Sequence, residues 1–459
     1  MKTARFYLSK LKPSNEVFAS TFSFSAGTFI RLGTSLVLTR LLSPDAYGLF
    51  GVLLSIIFVV EMLSDVGYAA LLIRHPRGSD RRFVHTVWTI RLVRSAINFL
   101  LACLLAPLIA RLYGLPELTS ALRLVAVGFL ITPLESMAYI LAIRDRRARL
   151  SNYAELAASA ITGIVVVIIA EFIRSYVALA VGYLLQRLLL SVTSHFFYRS
   201  VGVGFAWDKE AVREQFSIAR FTVPSSIMTI LLSQYDKLIL LKFFSLSIVG
   251  VYTLASNVVA PLNSLIMHNA RAILYARCAE YFRTDQPSVA QRFYTENKLL
   301  LLLGVLLPAC VGGAGRFLIG LLYDPRYVMA GHILTVLSFG SIFLALQQSS
   351  ENLLVAGGRT YVALLSNVIR AAVVVPASIA GYYLFGLDGF LWFSVLGWLV
   401  LLVWIFMVQN KVGLLRFRQE AYLFAIAVVA FAAIHVICWL LLLIVPGSWM
   451  HLAFLHHHG

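Results

Sequence analysis

Six charged side chains lie near the middle of long apolar stretches of this sequence, where a membrane span would hold them deep in the bilayer. They are Arg31, Glu61, Asp65, Glu135, Arg187 and Arg370. A charge at the bilayer centre costs about 2.5–3.5 kcal/mol on the insertion scale. If all six faced lipid, the total would be roughly 15–20 kcal/mol, more than the stability of a typical protein. We therefore expect them to face a wet cavity or a partner of opposite charge.

The two carboxylates of the second apolar stretch, Glu61 and Asp65, are one helical turn apart and are expected on one face of a single helix. They are predicted either to pair with Arg31 across a helical hairpin or to carry a proton or Na⁺ for coupling. In the third stretch, Arg91 and Arg94 are expected to reach back to the membrane surface, as long basic side chains do.

Other charges at depth have alternative roles that the sequence leaves open. Asp236 and Lys237 are adjacent, so a local structural ion pair competes there with a coupling or ligand-binding role. Two further internal pairs are expected, Glu135 with Arg187 and Glu351 with Arg370.

Polar residues recur every three or four positions in three of the apolar stretches and so share one helix face in each. The stripes contain Thr21, Ser25, Thr28, Arg31, Ser35 and Thr39; Ser226, Thr229, Ser233 and Asp236; and Asn257, Ser264, His268 and Arg271. The stripes are predicted to line a cleft. For the hydroxyls, ordinary helix–helix hydrogen bonding is an equal alternative.

The composition indicates an all-α polytopic membrane protein. Of 459 residues 60% are hydrophobic and 13% charged, and the mean hydropathy is +0.85, too apolar for the surface of a soluble domain. Each apolar stretch is long enough to cross a bilayer. The thirteen predicted spans are roughly 17–42, 46–72, 84–112, 118–143, 151–172, 175–198, 214–243, 247–275, 293–322, 328–355, 361–385, 388–410 and 420–445. The first two are expected to be joined by a tight polar turn at residues 43–48.

The basic residues are concentrated in the connections after even-numbered spans, for example at Arg77, Arg144 and Arg277. The positive-inside rule places these connections and the N-terminus in the cytoplasm. The net charge of +17 is then a consequence of topology, and we expect no nucleic-acid partner. The apolar run from Val17 lacks a small-residue cleavage pattern, which favours an uncleaved first span over a signal peptide.

The two halves of the chain show weak but colinear self-similarity. Residues 38–77 align with 240–279 at an offset of 202, which matches Ser43 with Ser245 and Gly48 with Gly250. Each copy holds six spans, an even number, so the repeats are parallel and are expected to face each other across a central cleft. The predicted domains are 1–205 and 206–412, the two six-helix lobes, and 413–459, an additional span and tail.

The segments Leu41-Leu42-Ser43-Pro44-Asp45-Ala46-Tyr47-Gly48-Leu49-Phe50 and Ser64-Asp65-Val66-Gly67 resemble bacterial polysaccharide-biosynthesis exporters. These are the Wzx-type lipid-linked oligosaccharide flippases of the multidrug/oligosaccharidyl-lipid/polysaccharide (MOP) superfamily. The resemblance implies two six-helix lobes, a cationic cavity and alternating access. It also implies an undecaprenyl-diphosphate-linked glycan as cargo, a location in the bacterial inner membrane, and polymerase and chain-length proteins as partners.

A diphosphate headgroup cannot cross hydrocarbon with its charge desolvated, so fixed cations in a wet cleft suit this cargo. The candidate diphosphate contacts are Arg31, Arg220 and Arg271, with His268 beside them. The candidate coupling or gating residues are Glu61, Asp65, Asp236 and Lys237. We expect no cofactor and no metal, and the terminal His456-His457-His458 tract is interpreted as a tail or tag remnant.

Two other functions compete with this interpretation. A cation-coupled multidrug exporter of the same superfamily would share the lobes, but an acidic, aromatic cavity would suit its cationic cargo better. A membrane glycan polymerase or ligase would need a sizeable extracytoplasmic loop, and the predicted ones are only a few residues long. No phosphate-binding loop, metal motif or nucleophile motif is present. The sequence therefore predicts a transporter rather than an enzyme.

Overall fold

The computed structural model describes residues 15–145, 149–197, 204–284 and 288–444. In these ranges the chain is α-helical, with short 3-10 and π turns and no strand, which confirms the all-α prediction. The chain divides into two compact units, residues 1–230 and 231–459. The three domains expected from the sequence repeat stay a prediction, and the terminal histidines lie outside the described residues.

The helices that begin in the first unit are α1 (Asn15–Leu41), α2 (Pro44–Leu63), α3 (Tyr68–Arg74), α4 (Arg81–Tyr113), α5 (Glu117–Ile131), α6 (Ala138–Arg144), α7 (Arg149–Phe172), α8 (Tyr176–Phe197) and α9 (Lys209–Ser233). Those of the second unit are α10 (Tyr235–Phe243), α11 (Leu246–Asn269), α12 (Tyr275–Thr284), α13 (Val289–Glu296), α14 (Lys298–Gly313), α15 (Gly315–Leu322), α16 (Met329–Ala356), α17 (Tyr361–Lys411) and α18 (Phe417–Ile444).

Within the described ranges, nine helices are long and apolar enough to cross a membrane, or eleven if each of two bent helix pairs is one span. In that count α17 is a single helix, although non-helical backbone at Phe385 and Gly386 divides it in two. The predicted spans 361–385 and 388–410 fall on its two parts, and the predicted thirteenth span overlaps α18. The chain is a multi-pass membrane protein.

The connection between α1 and α2 is shorter than the predicted turn at residues 43–48. Ser43 is the N-cap of α2, where its hydroxyl accepts from the Ala46 amide at 3.3 Å, and Pro44 is already helical. A proline is well suited to a first helical position because its missing N–H has no intrahelical partner there. Asp45 then lies in the first turn, where a carboxylate complements the helix dipole. The Ser-Pro-Asp sequence therefore starts a helix instead of forming a loop.

The predicted span 46–72 is not one helix. α2 ends at Leu63, and Asp65 lies in the break before α3, where its Oδ1 accepts from the Gly67 amide at 3.0 Å. Gly67 adopts a left-handed conformation with φ 68°, which a side chain disfavours. An ideal Cβ there would also lie 2.8 Å from Ile218 and 2.9 Å from Thr222 of α9. The expectation that Asp65 shares a helix face with Glu61 is therefore wrong.

The second unit has an irregularity near the corresponding place. α11 begins after Ser245 and continues to Asn269, where the π turn Ala270–Leu274 follows. By the offset of 202, Leu63 corresponds to Leu265, so α11 ends four residues beyond the position that corresponds to the end of α2. The duplication itself stays a prediction.

Candidate functional site

Three ion pairs gather at the helix breaks of the first unit, and we call them the arginine–carboxylate cluster. They are Arg91–Glu135 at 2.8 Å, Arg94–Asp65 at 3.6 Å and Arg187–Glu61 at 3.9 Å. All three carboxylates belong to the set of charges found at membrane depth in the sequence. The cluster explains how these charges are tolerated, because each faces a charge of opposite sign instead of lipid.

Arg91 is positioned by an interruption of α5. The 3-10 turn Thr132–Leu134, which contains Pro133, follows α5, and it leaves backbone carbonyls without helical partners. Arg91 Nη2 donates to the Thr132 carbonyl at 2.9 Å, and Trp88 Nε1 donates to the Pro133 carbonyl at 2.8 Å. With 2% of its side chain exposed, Arg91 is buried and paired, so the prediction that it extends to the membrane surface is wrong.

Arg94 provides a hydrogen-bond donor for a free backbone carbonyl at the C-terminal end of α2. Its Nη1 donates to the Ser64 carbonyl at 3.1 Å and lies 3.6 Å from Asp65 Oδ1. A cation at this position also complements the helix dipole. Asn98, one turn further along α4, donates to the Ser64 hydroxyl at 2.8 Å. The Tyr68 ring lies 5.6 Å from the Arg94 guanidinium and 5.1 Å from that of Arg91, which links two of the three pairs through one aromatic ring.

Arg187 of α8 is the most loosely held of the three arginines. Its side chain is 34% exposed, it lies 3.9 Å from Glu61, and its guanidinium is 5.3 Å from the Tyr183 ring. An ideal Cβ at Gly128 would lie 2.7 Å from Tyr183, so this glycine is what allows α5 and the tyrosine to approach. Arg187 is therefore the member of the cluster best placed to change partner.

These contacts correct two predicted pairings. Glu61 and Asp65 pair with Arg187 and Arg94 rather than with Arg31, because the break after Leu63 directs Asp65 toward α4. Glu135 pairs with Arg91 rather than with Arg187, because Glu135 directly follows the 3-10 turn that Arg91 bonds.

Arg31 lies on α1, exposed, and donates to the Thr28 hydroxyl at 3.4 Å. It lines a cavity of about 140 Å³ together with Ser23 of its own helix and Asn152, Glu155 and Ser159 of α7. The Ser23 hydroxyl is buried and has no hydrogen-bond partner within the described ranges. Of the first polar stripe, Arg31 is the residue that lines this cavity in the described part of the chain, and the cleft predicted for the whole stripe stays a prediction.

Arg220 is exposed on α9, in the stretch where this helix bends by 42° between Arg220 and Thr222. The bend comes before Pro224 and lies opposite Gly67, whose space is bounded by Ile218 and Thr222. The bend coincides with the close approach of α9 to the α2–α3 break.

In the second unit, His268 and Arg271 line an open cavity of about 480 Å³ with Ser264, Met267 and Ala272. Both side chains are exposed. Arg271 belongs to the π turn that follows α11, and π turns occur frequently at functional sites. These two predicted ligand contacts are thus neighbours.

The remaining predicted pairs of the second unit have other partners. Asp236 accepts from the Tyr252 hydroxyl at 2.5 Å and from the Lys237 backbone amide at 2.8 Å. It makes no side-chain ion pair with Lys237, because adjacent side chains on a helix do not face each other. Arg370 donates to the Leu232 carbonyl at 3.1 Å, and its guanidinium lies 4.0 Å from the Trp398 ring; Glu351 accepts from Gln347 instead.

A second charged cluster, outside the membrane spans, connects two loops of the first unit. Arg77 pairs with Asp80 at 2.9 Å, with Asp208 at 2.9 Å and also with Glu210. By hydrogen bonding, the Arg77 guanidinium holds the pKa of the Asp80 and Asp208 carboxyls below their ordinary value, and the carboxylates raise the pKa of Arg77. The residues before α9 are thereby fastened to the connection between α3 and α4.

The sequence did not predict the ion-pair partners at the helix breaks. The pairing of Arg94 with Asp65, beside Tyr68, could have been inferred only from the Ser-Asp-x-Gly pattern, since an Asx turn at Asp65 ends α2 and leaves carbonyl groups that a cation can bind. Glu420, which is 3% exposed, went unnoticed because it lies at the edge of a predicted span.

The fold has counterparts of known structure. A lipid II flippase, MurJ, in an inward closed conformation superposes with a TM-score of 0.70 at 12% identity, covering 92% of this chain and 97% of that one. An inward-facing multidrug resistance transporter of the MATE family gives 0.59 at 15% identity, covering 86% and 95%. At such identities the likeness establishes the fold alone.

The sequence profile of the polysaccharide biosynthesis protein family matches residues 37–323, more than half of the chain. This protein belongs to that family, and the resemblance found in its sequence is confirmed.

The teichuronic acid biosynthesis protein TuaB of Bacillus subtilis (strain 168) is 21% identical over 315 residues, 65% of this chain and 62% of that protein. The lipopolysaccharide biosynthesis protein WzxC of Escherichia coli (strain K12) is 22% identical over 374 residues, 79% of this chain and 74% of that protein. The chain thus spans about three fifths of the length of TuaB and three quarters of WzxC.

Proposed function

We propose that this protein flips a polyprenyl-diphosphate-linked oligosaccharide across the bacterial inner membrane by alternating access, for surface polysaccharide biosynthesis. Family membership supports the pathway, and the lipid II flippase fold supports the transport step. The observation that carries the proposal is that exposed cationic side chains line cavities beside membrane-spanning helices: Arg31 in the first unit, and His268 with Arg271 in the second.

The cationic side chains compensate the cargo's charge. A diphosphate loses its hydration inside a bilayer, and that loss is prohibitive unless fixed donors replace the water. Guanidinium groups suit phosphate because they donate several hydrogen bonds in a planar fork. Arg31, Arg220 and Arg271 supply these groups, with His268, while the prenyl chain stays in lipid. The transport reaction breaks no covalent bond, so the chain acts as a transporter and not as an enzyme.

The arginine–carboxylate cluster acts as the gate of the first unit. Its three arginines are matched by three carboxylates, so the cluster carries no net charge and attracts other ions only weakly while every pair is intact. A proton or Na⁺ reaching Glu61 or Asp65 weakens the matching ion pair and releases Arg187 or Arg94 to interact elsewhere. Asp236, held by Tyr252 and followed by Lys237, has the corresponding role in the second unit.

The orientation and partners complete the proposal. The positively charged connections support a cytoplasmic N-terminus, on the side where the lipid-linked glycan would be assembled. Polysaccharide polymerase and chain-length proteins receive the flipped glycan on the other side. An anionic cargo suits the arginine-lined cavities better than the cationic cargo of a multidrug exporter does.

The test is deletion of the gene in its native host, followed by analysis of the lipid-linked glycan and of surface polysaccharide. We expect the glycan to accumulate in the cytoplasmic leaflet and surface polysaccharide to disappear, with both effects reversed by the intact gene. Unchanged surface polysaccharide together with altered resistance to cationic drugs would contradict the proposal and favour the multidrug exporter.

A further inference from the structure

Among the residues that the structure describes, the buried carboxyl group of Glu420 in the second unit forms no ion pair. Glu420 lies in the first turn of α18 and is 3% exposed. Its Oε1 accepts from the Tyr294 hydroxyl at 2.7 Å and from the Ser350 hydroxyl at 3.3 Å. Its Oε2 is buried and, within the described ranges, accepts no hydrogen bond. A carboxylate in this setting is an uncompensated buried charge, which only a cation or a proton can neutralise.

Charged groups are present on the elements around Glu420, but none forms an ion pair with it in the described part of the chain. On α13, Arg292 is paired with Glu296 at 2.8 Å and stacks over Tyr281 at 4.3 Å. The other charged groups nearby in sequence on the packed elements are Lys298 of α14, Glu351 of α16, and Arg416 and Arg418 at the start of α18. Lys298, Arg416 and Arg418 are exposed, and Glu351 is bonded to Gln347.

The contrast with the first unit is clear. There the three interior carboxylates have side-chain exposures of 24–28% and each faces an arginine. Glu420 is far more buried and is held by two neutral hydroxyls. Ion pairing therefore stabilises the charge of the three carboxylates in the first unit. Glu420 lacks such a pair in the described part of the chain, so its charge must be neutralised by a bound proton or cation.

Water can reach the group through Tyr294. A cavity of about 280 Å³ is lined by Tyr294, Lys298, Gln419 and Tyr422 among others, which is room for several waters since a liquid water occupies about 30 Å³. Tyr294 lines this cavity and also donates to Glu420. Its hydroxyl can pass its proton to Glu420 Oε1 and take a new one from cavity water, so that charge and protons balance.

From this arrangement we propose that Glu420 is a proton-binding site, loaded and unloaded through the Tyr294 hydroxyl from the cavity beside α18. The proton-binding site at Glu420 does not depend on the function proposed above, but a role of its proton in driving transport does rest on that function. The site would place a proton carrier on α18, the helix that lies beyond the twelve spans of the predicted repeat.

The direct test is infrared difference spectroscopy of the full-length protein in lipid nanodiscs, between neutral and acidic buffer. We expect a carbonyl stretch of a protonated, buried carboxylic acid, absent in Glu420→Gln and retained in Glu280→Gln, an exposed acid of the same unit. Gln keeps the size of Glu and can accept the same two hydrogen bonds, so native thermal unfolding of Glu420→Gln is expected. In Tyr294→Phe the band should shift to higher frequency, because the carboxyl loses a hydrogen bond. A band that persists in folded Glu420→Gln, or a wild-type protein without one, would overturn the site.

The same protein in vesicles separates this inference from the transport function. With lipid-linked glycan present, an imposed proton gradient should change the transfer rate of wild type and of Glu280→Gln several-fold, and leave Glu420→Gln unresponsive. A wild-type protein with the infrared band but without glycan transfer would support the proton site and contradict the transport function. Equal responses of wild type and Glu420→Gln would overturn the coupling role.

Discussion

The Arg91 guanidinium lies 2.8 Å from the Glu135 carboxylate, with 2% of the arginine side chain exposed and 24% of the glutamate. The two residues meet because the chain breaks its helix at Pro133 and turns Glu135 toward α4. At the helix breaks after α2 and α5, an arginine binds both a free backbone carbonyl and a nearby carboxylate.

Replacing Arg91 with Ala should therefore destabilise the protein strongly. Removing one partner of a buried ion pair typically costs about 3–5 kcal/mol, because the other charge remains uncompensated. The matched control is Arg174→Ala, whose ion pair with Glu171 is exposed (64% and 56%) and should contribute less than about 1 kcal/mol. Denaturant unfolding in detergent measures both. Equal effects of the two variants would show that burial of the Arg91 pair has no energetic consequence.

Gly67 offers a second matched comparison. Gly67 and Gly114 both have φ 68°, but an added Cβ meets Ile218 and Thr222 at Gly67 and nothing within 4 Å at Gly114. Gly114→Ala should cost about 1–2 kcal/mol, the penalty of the left-handed conformation alone. Gly67→Ala should cost more, because α9 must also move away. Thermal unfolding of the two variants checks the order, and a Gly67→Ala no worse than Gly114→Ala would refute the close approach of α9.

The Arg77 cluster predicts a particular acid sensitivity. Asp80 and Asp208 have folded-state pKa values below the ordinary 3.8. They bind fewer protons when folded, so their contribution is complete above about pH 3.8 and is lost as the pH falls through the lowered values. Arg77→Gln should remove that contribution.

The measurement is the difference in thermal stability between wild type and Arg77→Gln as a function of pH. This difference should be constant from about pH 7 to pH 5 and should shrink below about pH 4. A difference that changes between pH 7 and pH 5, or that persists unchanged at pH 3, would contradict the assignment of these carboxylates.

The sequence predicted most of the long helices, but not the break after Leu63 or the ion-pair partners. The spans follow from stretches of apolar residues, and the break at Phe385 and Gly386 coincides with the predicted boundary at 385–388. The pairing of Asp65 with Arg94 depends on the direction in which the chain leaves α2. The prediction from helical periodicity treated residues 46–72 as one continuous helix and therefore gave Asp65 the wrong direction. Even so, an Asp two residues before a Gly is a known turn pattern, so the break itself was predictable.

Ion pairs between distant helices were harder to predict, because the axial register of two helices decides which turns meet. Arg187 has Glu61 and Glu135 as candidates of the same charge, and only the 3-10 turn before Glu135 assigns that carboxylate to Arg91. Cavities do lie beside Arg31 and Arg271. Three residues of the third polar stripe, Ser264, His268 and Arg271, line the second cavity, but the cleft between the lobes that the stripes were predicted to line stays a prediction.

The proposed role of Arg31 as a diphosphate contact is tested most directly by reconstitution. Purified protein in vesicles that contain a polyprenyl-diphosphate-linked glycan in one leaflet should move it to the other, far faster than protein-free vesicles. Arg31→Ala should reduce the rate about tenfold or more, consistent with loss of a charge-assisted contact of about 1.5–3 kcal/mol, while Arg174→Ala should match wild type. Transfer by correctly folded Arg31→Ala at the wild-type rate, or no transfer by wild type, would contradict the account.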